Sequence, residues 1–145
     1  SLIVRELSTN RRVLCCSKEY RKEHGALSHP DEIQKHKCIV IYEDAEDGCI
    51  WAFRARNGRE RDIRVSPYLV TNDGEVALSW AKEGRGIVLR SAWSVKDDLK
   101  SGNLVELLPD WSAPEAPIVA ITGEVQGRTR RIQALLQFLE ENLNL

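Results

Sequence analysis

Residues 70–91 read VTNDGEVALSWAKEGRGIVLRS and contain a turn, a helix, a second turn and a buried strand. The letters YLVT predict a strand, and Asn72 or Asp73 is a suitable N-cap for the helix that follows. Gly84 is placed to end that helix, and the apolar letters GIVL after it predict a short buried strand. This stretch therefore predicts a strand–helix–strand unit with a sharp first corner.

The corner Thr71–Gly74 could hold a ligand or could simply cap the helix. A strand that turns tightly into a helix presents free backbone N–H groups and the positive end of the helix dipole. Ligands of α/β sheets lie beyond the carboxyl ends of the strands, where Arg90 could offer a guanidinium fork to a small carboxylate. Asp73 and Glu75 would repel an anion unless Arg90 offsets them, so the residues alone leave both interpretations open.

Predicted strands and helices alternate along the rest of the chain. Residues 2–16 predict two short strands around a polar turn, and Ser17 is a suitable N-cap for a short helix. CIVIY predicts a buried strand, and Asn57-Gly58 predicts the turn of a β-hairpin. The tail from about Arg130 carries leucines at helical spacing. Strands that alternate with helices favour an α/β fold with parallel pairing.

Length and charge bound the class of protein. The chain has 145 residues, of which 42% are hydrophobic and 30% charged, as expected for one globular domain. The net charge of −1 argues against nucleic-acid binding by this chain alone. Glu60 and Asp62 interrupt the arginine-rich run at 54–64, which favours a solvated hairpin face. No apolar run approaches the roughly 18 residues of a membrane span, and the missing initial Met suggests a portion of a longer protein.

The cysteines indicate a reducing compartment. Cys15, Cys16, Cys38 and Cys49 form no CxxC pair. Adjacent residues of a strand point to opposite faces, so Cys15 and Cys16 are poorly placed to pair with each other. Reduced, partly buried thiols are expected, which favours the cytoplasm.

No motif for catalysis or for a cofactor or metal stands out. The chain has no GxSxG, no HExxH and no phosphate-binding loop ending in Lys-Ser or Lys-Thr. Gly84-Arg85-Gly86 lacks the third glycine of a dinucleotide fingerprint and follows a helix. The acidic run at 43–47 lacks the spacing of a calcium loop, and three histidines with Cys38 match no compact zinc motif. We therefore expect no enzyme activity, no cofactor and no metal.

Five segments, in this order, resemble the effector-binding domain of the LysR-type transcriptional regulators. They are RELSTNRRVLCCSKEYRKEHG, HPDEIQKHKCIVI, NDGEVALSWAKEGRGIVLRSAWSV, LKSGNLVELLPDW and RRIQALLQFLEENL. Together they cover nearly the whole chain, and the combination is specific although each piece alone is weak. The chain is most similar to the large subgroup that shares NDGE and LRS.

The resemblance implies a two-lobed α/β fold like that of type II periplasmic solute-binding proteins. Residues 1–16 would be a remnant of the first lobe, residues 17–120 the complete second lobe, and residues 121–145 the return to the first lobe with a C-terminal helix. The first lobe is expected to be only partial, and the N-terminal winged helix-turn-helix domain of the family to be absent.

The implied function is regulatory, with a small-molecule effector, a small carboxylate being the candidate class, bound in a cleft between lobes. The full-length regulator would form homo-oligomers, reach promoter DNA through the absent domain, and not associate with membranes. The expected effector-binding residues are Ser17, Thr71, Asn72, Asp73, Gly74, Arg90 and Ser91. The alternative is an extracytoplasmic solute-binding protein of a transporter, which shares the fold; the unpaired cysteines and the NDGE…LRS segment argue against it.

Overall fold

The computed structural model describes residues 1–42 and 48–143. The acidic segment 43–47, which we expect to be a solvated loop, lies outside the described residues. The chain divides into a smaller unit, Ser1–Arg11 with Glu115–Leu145, and a larger unit, Arg12–Pro114. Both passages between units lie earlier in the chain than the lobe boundaries expected after residues 16 and 120.

The secondary structure alternates between strands and helices, as the sequence predicts. The strands are β1 (Leu2–Ser8), β2 (Arg12–Ser17), β3 (Cys38–Ile41), β4 (Ile50–Ala55), β5 (Glu60–Arg64), β6 (Pro67–Thr71), β7 (Ile87–Ser91), β8 (Leu104–Leu107), β9 (Trp111–Ser112) and β10 (Ile118–Gly123). The helices are α1 (Lys18–His24), a 3₁₀ helix (Pro30–Lys35), α2 (Gly74–Lys82), α3 (Ala92–Ser101), α4 (Glu124–Gly127) and α5 (Arg130–Asn142). In the described part of the chain, no helix is both long and apolar enough to cross a membrane.

The larger unit is built on a five-stranded sheet with the order β6-β3-β7-β2-β8. β3 pairs in parallel with both β6 and β7. β2 is antiparallel to β7 and to β8, with Leu14 opposite Leu89 on one side and Leu107 on the other. The parallel pairing predicted from the alternating pattern is therefore correct for three strands, and the sheet as a whole is mixed.

Apolar side chains cover both faces of this sheet. Cys16 packs with Val40 in one buried cluster, and Cys15 packs with Ile39 and Val88 in the other. The two adjacent cysteines thus point to opposite faces, as their place on a strand requires. All four cysteines are buried free thiols, and burial raises the pKa of Cys15 to about 12.

Helix α2 covers one side of the sheet. The helix residues that are buried there differ slightly from the predicted ones. Ala77, Leu78 and Ala81 are buried, whereas Val76 is 36% exposed. The helical spacing of the apolar letters predicts a buried face of Val76, Ala77, Trp80 and Ala81; this prediction is wrong for Val76 and misses Leu78. Positions i, i+1 and i+4 still form the buried stripe, but the stripe is rotated by one residue.

A three-stranded sheet, β5-β4-β9, completes the larger unit. The hairpin predicted at Asn57-Gly58 is confirmed, with Trp51 opposite Ile63, and its side chains Trp51, Phe53 and Ile63 are buried. Strand β9 was not predicted, because its two residues lie between proline-rich turns. The pairing of Trp111 with Ala55 on β4, a tertiary contact, defines it.

In the smaller unit, β1 and β10 form an antiparallel two-stranded sheet beside α4 and α5. Of the predicted leucine face of α5, Leu136 is buried and Leu135 is 50% exposed. Leu2, Ile121 and Phe138 are also exposed. This unit buries few of its large apolar side chains.

Candidate functional site

The predicted corner and Arg90 lie at one edge of the five-stranded sheet. β6 ends at Thr71 and β7 at Ser91, and both strands are parallel to β3 between them. Their carboxyl ends therefore meet at the same side of the sheet, which we call the carboxyl edge. Helix α2 starts there at Gly74, and α3 starts at Ala92. This is where ligands of α/β sheets are expected to bind.

Hydrogen bonds within the corner use two of its polar side chains. The Asp73 carboxylate caps α2, accepting from the N–H of Glu75 at 2.8 Å and of Val76 at 3.3 Å. The Thr71 hydroxyl oxygen accepts from the N–H of Asp73 at 3.0 Å. The cap predicted at Asn72 or Asp73 is thus Asp73, and Asn72 is an exposed residue of the bend. Thr71 and Asp73 thus shape the corner through these bonds.

Arg90 brings a positive charge to this edge. Its side chain is only 13% exposed, and its closest acidic contact joins Nη2 to Glu75 Oε1 at 3.4 Å. In the described part of the chain, buried Arg90 Nε has no hydrogen-bond partner. Burying a cation with so few partners is costly, and the positive end of the α2 dipole adds to that cost. A bound anion would offset both costs.

Gly74 lets the Arg90 guanidinium lie against the first turn of α2. A Cβ built at Gly74 would lie 2.8 Å from Arg90 Cζ, closer than such atoms approach. The N–H of Ala77 donates to the Asp73 carbonyl at 3.1 Å. The Asp73 carboxylate accepts from the N–H groups of Glu75 and Val76. Of the N–H groups in the first turn, that of Gly74 therefore lies outside the cap.

Ser91 lies next to Arg90 and immediately precedes α3. Its side chain does not cap the helix, and its carbonyl accepts from the Ser94 hydroxyl at 2.8 Å. Ser91 is half-buried at the carboxyl edge. The structure therefore brings together six of the seven predicted residues at this edge.

Ser17 lies at the opposite end of the sheet, which we call the amino edge. Val13 is paired with Arg90, and Ser17 is four residues further along β2, or about 13 Å away at strand spacing. Ser17 is fully buried, and its hydroxyl oxygen accepts from the N–H of Tyr20 at 3.0 Å. The structure thus separates Ser17 from the corner, and its observed role is the predicted cap of α1.

The sequence of residues 1–144 matches the protein family described as the LysR substrate binding domain. The chain belongs to this family. It is 34% identical over 141 residues to the HTH-type transcriptional regulator DmlR of Escherichia coli K12, covering 97% of this chain and 45% of that protein. It is 37% identical over 134 residues to the HTH-type transcriptional activator TtdR of the same strain, covering 92% of this chain and 42% of that protein.

Solved structures agree with this assignment. The regulatory domain of CrgA, a LysR-type transcriptional regulator from Neisseria meningitidis, matches with a TM-score of 0.81 and 29% identity, covering 98% of this chain and 69% of that chain. The periplasmic-binding-protein-like type II fold predicted for this LysR substrate-binding domain is therefore confirmed. The chain spans less than half the length of the curated relatives DmlR and TtdR.

Two aromatic residues of this LysR substrate-binding domain also lie at the carboxyl edge. They were not predicted as site residues from the sequence. The N–H of Tyr42 donates to the Thr71 carbonyl at 3.0 Å, so Tyr42 follows β3 beside the corner. Trp93 lies in the first turn of α3 and is 49% exposed. Tyr42 is the last residue of the predicted strand CIVIY, and Trp93 follows the predicted strand GIVL by four residues, so their nearness to strand ends was the available signal.

The histidines of the LysR substrate-binding domain serve its internal packing. His29 Nδ1 accepts from the N–H of Asp31 at 3.1 Å and caps the 3₁₀ helix. His36 Nδ1 lies 3.0 Å from the Tyr20 hydroxyl, and His24 stacks on the Tyr20 ring. Within residues 1–42 and 48–143, no three His, Cys, Asp or Glu side chains form a group that could hold a metal.

The arginine-rich hairpin carries acidic partners for its cations. Arg54 pairs with Glu60 on the hairpin itself. Arg61 donates to Asp31 near the 3₁₀ helix, and Arg56 pairs with Asp110 at 3.1 Å. These ion pairs support the solvated-face interpretation over a nucleic-acid patch.

Proposed function

We propose that this LysR substrate-binding domain is the sensing module of a transcriptional regulator and binds a small carboxylate at its carboxyl edge. The proposed site comprises Thr71–Gly74, Arg90 and Ser91. Arg90 and the Gly74 N–H would contact the ligand, and Asp73 and Thr71 would hold the corner in shape. The observation that carries the proposal is the Arg90 side chain, which is only 13% exposed and whose buried Nε has no hydrogen-bond partner in the described structure.

A carboxylate suits Arg90 better than a neutral ligand does. Two parallel N–H···O bonds from a planar guanidinium match two carboxylate oxygens, and such charge-assisted bonds are about twice as strong as neutral ones. The low exposure of Arg90 reduces screening by water and salt. A neutral amide of the same shape would leave the positive charge unbalanced, so it should bind more weakly.

The proposed mechanism is a population shift. An effector that binds one arrangement of the regulator more tightly than another moves the equilibrium by that difference in affinity. In a homo-oligomer, promoter DNA would be contacted through an N-terminal winged helix-turn-helix domain. The relatives DmlR and TtdR are named as HTH-type regulators, which supports a DNA-binding role. The free buried cysteines support a cytoplasmic location.

A regulatory role is favoured over catalysis and over transport. The relatives are named as transcriptional regulators, and among the described residues of the carboxyl edge no nucleophile is paired with an adjacent base. A solute-binding protein of a transporter would share the fold, but the family match and the regulator relatives argue against it.

The test is a thermal-shift and calorimetric panel on this chain. Acetate, succinate and benzoate would be compared with acetamide, succinamide and benzamide. A carboxylate at a hundredfold excess over Kd should add about 2.7 kcal/mol to the free energy of unfolding. Binding should be lost in Arg90→Ala and weakened in Arg90→Lys, which keeps the charge without the fork.

Arg85→Ala is the matched control, because Arg85 is an exposed arginine paired with Glu83. It should bind carboxylates as the parent chain does. Equal binding by Arg90→Ala, or equal binding of acids and amides, would refute the proposed site.

A further inference from the structure

Arg90 and Glu75 form an unequal ion pair at the carboxyl edge. The Arg90 side chain is 13% exposed and the Glu75 side chain 78% exposed, and the atoms in contact are 3.4 Å apart. A charge-assisted N–H···O bond normally measures about 2.7–2.9 Å. The cation is thus fixed in the protein, while its acidic partner extends into solvent and holds it loosely.

We propose that Glu75 is an internal competitor for Arg90, which occupies the guanidinium until a carboxylate displaces it. This inference rests on the proposed carboxylate site. Glu75 would then determine how tightly the site binds anions and which anions it accepts. The structure offers Arg90 no other acidic partner among the ion pairs of the described residues.

The backbone of Glu75 is held in place while its side chain is free to leave. Its N–H donates to the Asp73 carboxylate at 2.8 Å, within the cap of α2. The carboxylate of Glu75 can therefore rotate into solvent without breaking a helix hydrogen bond. Displacement by a ligand would leave the corner intact.

The competition should be weak and selective. An ion pair with an exposed partner contributes little, typically up to about a fivefold effect on an equilibrium constant. A ligand with two oxygens on one carbon can replace this single long contact with two short ones. An anion that offers only one contact gains less from the exchange, so Glu75 would favour carboxylates over halides.

Two substitutions separate contact from simple repulsion. Glu75→Gln removes the charge and should tighten benzoate and succinate binding by up to about fivefold. Glu75→Asp keeps the charge but shortens the side chain by one methylene, so it can no longer reach Nη2 across a contact that is already 3.4 Å. If Glu75 competes by contact, Glu75→Asp should also tighten binding.

The experiment is calorimetric titration with benzoate and succinate. Four proteins are compared: the parent chain, Glu75→Gln, Glu75→Asp, and a double variant that combines Glu75→Gln with Arg90→Ala. Tighter binding in both single variants, lost in the double variant, is the expected result. If only Glu75→Gln binds more tightly, Glu75 acts by charge repulsion, and the proposed competition through contact with Arg90 is wrong. If the parent chain binds and Glu75→Gln binds with the same affinity, Glu75 is not a competitor, but the proposed carboxylate site stands. Absence of binding by every variant would overturn both.

Discussion

The two edges of the five-stranded sheet use polar residues in opposite ways. At the amino edge, Ser17 is fully buried, and its hydroxyl accepts a hydrogen bond from the N–H of Tyr20. At the carboxyl edge, the Arg90 side chain is 13% exposed, and its buried Nε has no partner in the described structure. The Ser17 hydroxyl oxygen is thus engaged by the protein itself, whereas Arg90 Nε still has an N–H to donate.

Each edge also places a glycine against its polar residue. Gly84 has a φ of +79°, and a Cβ there would lie 3.3 Å from Ser17 Oγ. Gly74 lies against the Arg90 guanidinium. The difference teaches that a buried polar residue near a strand end is a ligand candidate only when its hydrogen bonds are incomplete.

The largest effect is expected when a side chain is truncated in the buried core that supports both edges of the sheet. Ile39 is 1% exposed in β3, the strand between β6 and β7. Ile39→Ala should lower the free energy of unfolding by about 2–5 kcal/mol, through lost burial and a cavity. Urea denaturation measures the effect, and Val76→Ala on the exposed side of α2 is the control. A loss under about 1 kcal/mol would show that the sheet is not the common support.

Tyr20→Phe should affect the amino edge alone. The Tyr20 hydroxyl accepts from the N–H of Lys37 at 3.0 Å and lies 3.0 Å from His36 Nδ1. Removing it leaves these groups unpaired, at about 1–3 kcal/mol of stability. Urea denaturation should show this loss while the affinity for carboxylates stays unchanged. Tyr68→Phe, at an exposed tyrosine, should have little effect on either; a changed affinity in Tyr20→Phe would mean that the edges are coupled.

The two glycines give a matched pair. Gly84→Ala places a side chain at positive φ and should cost about 1–2 kcal/mol of stability without changing carboxylate binding. Gly74→Ala lies at the first position of α2, where alanine is a good helix former, so stability should change by under about 0.5 kcal/mol. Its Cβ must displace the Arg90 guanidinium, so carboxylate affinity should fall. The reverse pattern in denaturation and titration would contradict the division between edges.

Much of this architecture could be predicted from local sequence signals. The Asn57-Gly58 turn, the cap at Ser17 and the strand at CIVIY each depend on neighbouring residues, and each prediction was confirmed, although the strand ends one residue earlier, at Ile41. Strand β9 and the burial of Leu78 were missed, because pairing and packing with distant parts of the chain determine them.

The candidate site was predicted less completely for the same reason. Local chemistry could identify the corner and the forked cation of Arg90. Only the fold could show that Ser17 lies at the other edge, and that Gly74 and Glu75 are the groups against the guanidinium. Whether the hydrogen bonds of a polar side chain are complete depends on partners from distant parts of the chain. Local sequence patterns do not identify these partners.

The smallest expected effect is a pH dependence confined to the amino edge. Burial, and next the neighbouring His24, lower the pKa of His36 from 6.5, against an opposing contribution from Glu32. The unfolded chain therefore binds more protons in this range, so stability is complete above pH 6.5 and declines as the pH falls through the lowered pKa. Urea midpoints at pH 7.5, 6.5 and 5.5 measure the slope, with His36→Asn as the control, because it keeps an acceptor near the Tyr20 hydroxyl without titrating. An equal slope in both proteins would assign the dependence to groups other than His36.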